Sequence, residues 1–171
     1  RYVREWLGAM LAGRIVVHDP AAGTWQLPPE HAALLTRAAA PNNFAAFMQY
    51  IGQFGEVEDK ILHCFRHGGG VPYAEFNRFH EIMAEDSGQT VVPALFDHIL
   101  PLVPGLHEKL SAGIDVLDLG CGRGIALRMM AARYPRSRFL GLDLSADAVA
   151  WARAQSAEDG LANVRYEQAD A

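Results

Sequence analysis

Apolar side chains recur with a helical period through most of the first 110 residues. In residues 2–12 four of them lie on one helical stripe, namely Val3, Leu7, Met10 and Leu11. The same period predicts further helices, over 30–39, 43–66, 74–85, 91–100 and 104–110. Within 43–66 we expect two helices, because Gly52 and Gly55 favour a break between them.

Two strand-like runs interrupt this helical pattern near the start of the chain. Residues 15–18 and 24–27 flank the turn residues Asp19, Pro20 and Gly23, which predicts a β-hairpin. A helix followed by a hairpin is the arrangement at the end of a winged-helix domain. The chain starts at Arg1 rather than at a methionine, and we expect the earlier helices of such a domain to precede it.

The pattern changes at Gly113. Residues 114–119 form an apolar run interrupted by two aspartates, which is typical of a buried parallel strand. The elements predicted after it are a helix, a strand, a helix and a strand, over 123–134, 138–144, 146–160 and 164–168. This β-α-β-α-β order predicts a parallel sheet with right-handed crossovers.

The expected fold class is therefore α/β. A mainly helical winged-helix-type segment, residues 1–110, would precede a Rossmann-like parallel sheet in residues 111–171, of which only the front half is present. Such sheets ordinarily continue beyond three strands, so we expect the natural chain to extend past Ala171 and this part alone to be inactive.

Composition and charge narrow the function classes. Half of the 171 residues are hydrophobic, yet no apolar run reaches the roughly 20 residues that cross a bilayer. The formal net charge is −5, and residues 1–110 hold twelve acidic against eight basic side chains. This balance disfavours nucleic-acid binding as the main role, because the affinity of a protein for nucleic acid comes mainly from basic side chains that contact phosphates. Cys64 and Cys121 show no paired pattern, which favours a reducing, cytoplasmic setting.

A glycine-rich turn follows the first strand of the predicted sheet. Gly120, Gly122 and Gly124 alternate with other residues directly before a helix, whose free N–H groups suit a carboxylate. Dinucleotide binders usually show G-x-G-x-x-G, and here Ile125 stands where the last glycine would be. The preceding carboxylate, Asp118, can accept hydrogen bonds from an ammonium group, which pyrophosphate cofactors lack and S-adenosylmethionine has.

Two further acidic residues follow the next two strands. Asp143 ends the second strand, where a carboxylate can bind both hydroxyls of a ribose. Asp170, followed by Ala171, comes directly after the third strand and can accept a hydrogen bond from an adenine amino group. Asp143 alone is also compatible with a helix-capping role.

Together these three motifs resemble those of class I S-adenosylmethionine-dependent methyltransferases. VLDLGCGRG is similar to the glycine-loop motif of that family, GLDLS to its ribose-binding motif, and the final Asp-Ala to the start of its adenine-binding motif. The resemblance implies S-adenosyl-L-methionine as cofactor and methyl transfer by in-line displacement. The cofactor-binding residues that it implies are Asp118, Gly120, Cys121, Gly122, Gly124, Asp143, Leu144, Asp170 and Ala171. It assigns no catalytic residue and no metal, and we interpret Cys121 as a small loop residue rather than a nucleophile.

The front segment resembles the dimerisation domain of small-molecule O-methyltransferases. In that family a helix before the glycine loop carries phenylalanine and methionine residues that border cofactor and substrate, and Phe79 and Met83 have similar spacing. The same pair fits ordinary core packing.

Among the histidines, His80 is a candidate base or a surface histidine. His63 and His67 share a helical face but lack an evident third metal ligand.

Three functions remain open on the sequence alone. The first is a methyltransferase for a small-molecule acceptor, as a homodimer. The second is a DNA-binding regulator, in which residues 2–12 form the recognition helix and the Rossmann part senses a ligand. The third is a non-catalytic interaction module that has kept a Rossmann fold.

Overall fold

The computed structural model describes residues 1–170, and Ala171 lies outside the described residues. The α-helices in that range are α1 (Tyr2–Ala12), α2 (Pro29–Leu35), α3 (Phe44–His67), α4 (Phe79–Gln89), α5 (Val91–Ala94), α6 (Leu106–Ala112), α7 (Ile125–Arg133) and α8 (Ala146–Glu158). The strands are β1 (Val17–Asp19), β2 (Thr24–Gln26), β3 (Asp115–Leu119), β4 (Arg138–Asp143) and β5 (Val164–Gln168).

The front of the chain forms a helix and an antiparallel hairpin, as the sequence predicts. In the hairpin Val17 pairs with Gln26 and Asp19 with Thr24. Asp19 closes the turn, because its carboxylate accepts hydrogen bonds from the N–H groups of Ala21 and Ala22 at 2.9 and 3.1 Å. None of the residues of α1 is buried, so its apolar side chains lie on the surface.

The expected break in residues 43–66 is wrong, because α3 is one continuous helix of 24 residues. Gly52 and Gly55 lie inside it with open space around the position of a Cβ atom. Glycine costs roughly 1 kcal/mol in a helix relative to alanine, which weakens a helix without ending it. The burial of Ala46 and Val57 and the side-chain cap that Asn43 provides act in the opposite direction.

Two other helices have different bounds from those predicted. The helix expected over 74–85 begins only at Phe79, after Arg78 in the left-handed region at φ 57°. The carbonyl of Asn77 accepts a hydrogen bond from Gln53 Nε2 at 3.1 Å, and so it faces α3. The segment 91–100 is α5 followed by a π-helical turn, Leu95–Ile99, and Pro93, which has no backbone donor, lies in the first turn of α5.

The second half of the chain is a parallel three-stranded sheet in the order β3-β4-β5. Asp118 is level with Gly141, and Gly141 in turn with Tyr166. The α/β fold class expected from the sequence is confirmed. Since parallel strands end at the same edge, the residues after β3, β4 and β5 come together there.

The core lies between one face of this sheet and α6, α7 and α8. Its most buried large side chains are Leu110, Leu127, Val149, Phe139 and Tyr166. Leu95, Leu100 and Leu110 belong to the same cluster, so residues before the predicted boundary at 110/111 pack with the sheet. The domain boundary at 110/111 stays a prediction.

The other face of the sheet exposes Leu117 and Leu119. Among residues 1–170, no helix combines the length and apolar character required to cross a membrane.

Candidate functional site

The glycine loop, residues 120–124, connects β3 to α7 at the carboxyl edge of the sheet. Gly120, Gly122 and Gly124 all have positive φ angles, 76°, 54° and 63°. Other residues adopt this region at a cost, which explains the alternation of glycines. The N–H groups of Gly120 and Cys121 donate to the carbonyl of Leu142 at 2.8 and 3.0 Å, so the loop is fastened to β4.

Asp143 joins the loop to the start of α8. One carboxylate oxygen accepts a hydrogen bond from the Gly122 N–H at 2.7 Å, and the other accepts from the Ser145 N–H at 2.8 Å. Ser145, rather than Asp143, caps α8, because its hydroxyl accepts from the Ala148 N–H. Each Asp143 oxygen keeps a further lone pair for a ligand. Ribose binding by Asp143 stays a prediction.

Asp118 is half-buried beside Asp143. Burial, and then the negative charge of Asp143, raise the pKa of the Asp118 carboxyl above its usual range. Among the hydrogen bonds of residues 1–170 none ends on an Asp118 oxygen, and neither oxygen is a fully buried atom without a partner, so both are open to a ligand. A cationic ligand group at this position would offset both the burial of the Asp118 charge and its repulsion by Asp143.

The thiol of Cys121 lies under the loop and is expected to be unreactive. Burial, together with Asp118 and Asp143, raises its pKa to about 12. Since the thiolate is the reactive form, Cys121 should resist alkylation at pH 8 while Cys64 reacts. Mass spectrometry after iodoacetamide treatment measures this directly. Modification of Cys121 at the rate of Cys64 in the folded protein would contradict the expectation.

Sequence reasoning missed two residues that shape the floor of the loop. A Cβ atom on Gly141 would lie 2.7 Å from both Cys121 Sγ and Tyr166 Cδ1, so only glycine fits there. The Tyr166 ring is buried, and its hydroxyl donates to the carbonyl of Gly124 at 3.3 Å. A glycine inside a predicted strand is a signal of such a close approach, whereas nothing local indicates Tyr166.

Two neighbouring cavities adjoin the loop. The first, about 300 Å³, lies between the loop with Asp118 on one side and Met83, Ser87 and Val91 on the other. The second, about 470 Å³, is lined by Tyr73, Phe76 and Phe79 and by residues 144–147. His80 and Arg123 line both cavities.

A third and larger cavity lies away from this edge. It has a volume of about 640 Å³ and is lined by residues of the first halves of the three strands, including Leu117, Leu140 and Arg165. None of the cofactor-binding residues that the sequence implies lines it. We therefore place the candidate site at the glycine loop.

The structure brings α4 to this edge. Met83 lines the first cavity, Phe79 the second, and the half-buried His80 both. The guanidinium of Arg123 lies over the Trp151 ring, 5.0 Å from its centroid. The shared cavities place α4 opposite the loop, although more than 30 residues of sequence separate them, and the Arg123–Trp151 contact joins the loop to α8.

The remaining predicted residues have different surroundings. Leu144 is exposed on the wall of the second cavity, and Asp170 is exposed after β5. Ala171 lies outside the described residues. The rings of His63 and His67 are 4.5 Å apart on α3, away from the loop. Among residues 1–170 no group of three or more His, Cys, Asp or Glu is arranged to hold a metal.

Two family models match the chain. Residues 1–37 match an Rv2258c-like winged HTH domain, and residues 116–171 match a methyltransferase domain. The first match confirms the winged-helix interpretation of α1 and the hairpin. The second confirms the resemblance that the three motifs indicate.

Curated relatives are similar over a limited part of the chain. A trans-aconitate 2-methyltransferase of Methylobacterium nodulans is 44% identical over 61 residues, which are 36% of this chain and 22% of that protein. A ribosomal RNA small subunit methyltransferase G of Chlorobium limicola is 36% identical over 72 residues, or 42% of this chain and 33% of that protein. The chain thus spans about a fifth to a third of the length of these relatives.

A similar solved structure is that of PKMT2 from Rickettsia typhi in complex with AdoHcy. The identity is 34% and the TM-score 0.32, over 33% of this chain and 11% of that one.

Proposed function

We propose that this chain is part of an S-adenosylmethionine-dependent methyltransferase that acts on a small molecule. The observation that carries the proposal is the junction of the glycine loop with two carboxylates. Asp143 uses both oxygens to hold the loop and α8, whereas Asp118 has no donor within the described residues. The match of residues 116–171 to a methyltransferase domain supports the same function.

The residues at the loop fit the groups of S-adenosylmethionine. The unpartnered Asp118 carboxylate suits the ammonium group, and the N–H groups at the start of α7 suit the carboxylate. Space is open at Gly120 and Gly122, where a Cβ atom would meet nothing within 4 Å. Asp143 would bind the ribose with its remaining lone pairs, and Leu144, Asp170 and Ala171 would border the adenine. In this proposal Cys121 contributes backbone rather than thiol chemistry.

The reaction would depend mainly on how the chain positions its ligands. When bound, S-adenosylmethionine supplies an electrophilic methyl group that an acceptor nucleophile attacks in line. The glycine loop and Asp143 would orient the donor, and the second cavity would receive the acceptor. His80 lies on the wall common to both cavities, and so it is the imidazole placed to take a proton from the acceptor.

A small acceptor agrees better with this site than a nucleic acid does. The second cavity has three aromatic rings on its wall and a volume suited to a compact organic molecule. The relatives include both kinds of enzyme, one named for trans-aconitate and one for ribosomal RNA. The acidic balance of residues 1–110 disfavours the second kind.

Calorimetry with S-adenosylmethionine and Asp118→Asn tests the proposal. We expect the wild-type protein to bind, and the variant to bind at least about tenfold more weakly, because the charged acceptor for the ammonium group becomes a neutral one. Stability should change in the opposite direction. The raised pKa of Asp118 means that its charged form destabilises the folded protein, so Asp118→Asn should raise the unfolding midpoint at neutral pH. This gain should disappear at pH values below the ordinary carboxyl pKa.

Asp115→Asn is the matched control, since Asp115 begins the same strand but is exposed and paired with Arg138. Its affinity for S-adenosylmethionine should equal that of the wild type. A wild-type protein that does not bind would defeat the proposed function. Equal affinity of Asp118→Asn and Asp115→Asn would remove Asp118 from the site.

We propose that the protein forms a homodimer through its front segment. Its exposed apolar side chains support this: Tyr2, Val3 and Trp6 on α1, and Phe47 and Ile51 on α3.

The winged HTH match keeps a DNA-binding regulator as the alternative function. The apolar surface of α1 favours contact with protein rather than with phosphate. A cytoplasmic location stays a prediction, to which the two free cysteines contribute.

A further inference from the structure

Polar side chains of α3 hold α4 in place. Gln49 Nε2 donates to Glu85 Oε2 at 3.0 Å, and Asn43 Nδ2 donates to Gln89 Oε1 at the same distance. Tyr50 follows Gln49 on α3, and its hydroxyl is 2.8 Å from Met83 Sδ and 3.1 Å from Asp86 Oδ2. Tyr50 is thus the residue of α3 that contacts a side chain of the first cavity.

The Tyr50 hydroxyl keeps its proton over the physiological pH range. Burial, and then the charge and hydrogen bond of Asp86, raise its pKa to about 12. The ring is confined by Phe47 on one side and Phe54 on the other, with centroids 5.4 and 5.7 Å away. The hydroxyl has one proton and two acceptors within reach, the Asp86 carboxylate and the Met83 sulfur, so it lies between them and contacts both.

Met83 is the long, flexible side chain on its wall of the first cavity. It is 39% exposed, while Ala84 and Ser87 beside it are short. Methionine is unbranched and has three rotatable bonds, so it adopts many conformers unless it is held. A side chain that is already ordered in the free protein need not lose that freedom when a ligand binds.

We infer that Tyr50 is a positioning residue that holds Met83 against the ligand cavity and so increases the affinity for the cofactor. The inference rests on the proposed function, because it takes the first cavity as part of the cofactor site. It gives α3 a role in ligand binding although α3 itself contributes no lining residue to either cavity at the loop.

A double-mutant cycle on S-adenosylhomocysteine binding tests the inference. The proteins are the wild type, Tyr50→Phe, Met83→Leu and the double variant, measured by calorimetry. Tyr50→Phe should weaken binding about three- to tenfold, as expected for the loss of one hydrogen bond. In the Met83→Leu background the same change should have less than a twofold effect, because the sulfur acceptor is already gone.

Tyr134→Phe is the matched control for the loss of a tyrosine hydroxyl. Tyr134 is buried and its hydroxyl bonds to His107 Nδ1, away from both cavities at the loop. It should lower the unfolding midpoint at least as much as Tyr50→Phe does and leave the affinity unchanged. A merely structural role of Tyr50 predicts instead that affinity follows stability in both variants.

Four outcomes separate the possibilities. An affinity of Tyr50→Phe within twofold of the wild type would overturn the inference, and so would additive effects in the double variant. Absence of binding by the wild-type protein would overturn the proposed function and the inference with it. Loss of affinity in Tyr50→Phe alone, with Tyr134→Phe unchanged, would support the inference.

Discussion

Asp143→Ala is expected to lower the affinity for S-adenosylmethionine at least about 100-fold. The carboxylate accepts one hydrogen bond from Gly122 and one from Ser145, so its removal frees the glycine loop and the start of α8 together. A hydrogen bond to a charged group contributes about 1.5–3 kcal/mol, and each 1.4 kcal/mol is a factor of about ten in affinity. If Asp143 also binds the ribose, the direct loss adds to this effect. Calorimetry measures the change.

Two further variants make this result interpretable. Asp143→Asn keeps the size of the side chain but turns a donor toward one of the two N–H groups, so its affinity should fall between those of the wild type and Asp143→Ala. Asp159→Ala removes an exposed carboxylate whose partner is Arg128, and it should bind normally. An Asp143→Ala protein that binds within threefold of the wild type would exclude Asp143 from the site.

Gly124→Ala is expected to destabilise the folded protein by about 2–5 kcal/mol, from left-handed strain of roughly 1–2 and overpacking of about 1–3 kcal/mol. Gly124 has φ 63°, and a Cβ atom there would lie 2.4 Å from Tyr166 Cε1. The ring cannot withdraw easily, since it is buried and bonded to Ser156 and Gly124. Urea unfolding monitored by circular dichroism gives the free energy of unfolding.

Gly122→Ala is the control for the strain alone. Gly122 has φ 54° but open space around it, so alanine there should cost only about 1–2 kcal/mol. Equal losses at positions 122 and 124 would show that the contact with Tyr166 is unimportant. In a Tyr166→Leu background, Gly124→Ala should lower the free energy of unfolding by less than it does in the wild-type background, because the ring is absent.

The sequence was sufficient for the features that depend on neighbouring residues. The glycines of the loop, Asp118 and Asp143 are recognisable because a parallel strand, a turn and a helix follow one another within a few positions. The parallel direction of the strands follows from the same alternation of strands and helices. The hairpin of β1 and β2 is local too, since its turn residues lie between the two strands.

Features that depend on distant contacts were not predictable in the same way. Gly52 and Gly55 suggested a break in α3, but packing of α3 on α4 outweighs their weak helix propensity. Just before the late start of α4, the carbonyl of Asn77 accepts a hydrogen bond from Gln53, 24 positions earlier in the sequence. The position of Met83 over the loop likewise needs the fold, because no local pattern places α4 at the sheet edge.

The Tyr166 ring beneath the loop has an evolutionary consequence. It is in close contact with the positions of a Cβ atom on both Gly124 and Gly141, so these three positions cannot vary independently. Alanine at 124 should cost less once a smaller residue stands at 166, whereas alanine at 141 would also meet Cys121 and Leu127. Such order dependence is epistasis, and a library that randomises the loop alone would recover little besides glycine at 124. Randomising position 166 at the same time should open that site to other residues.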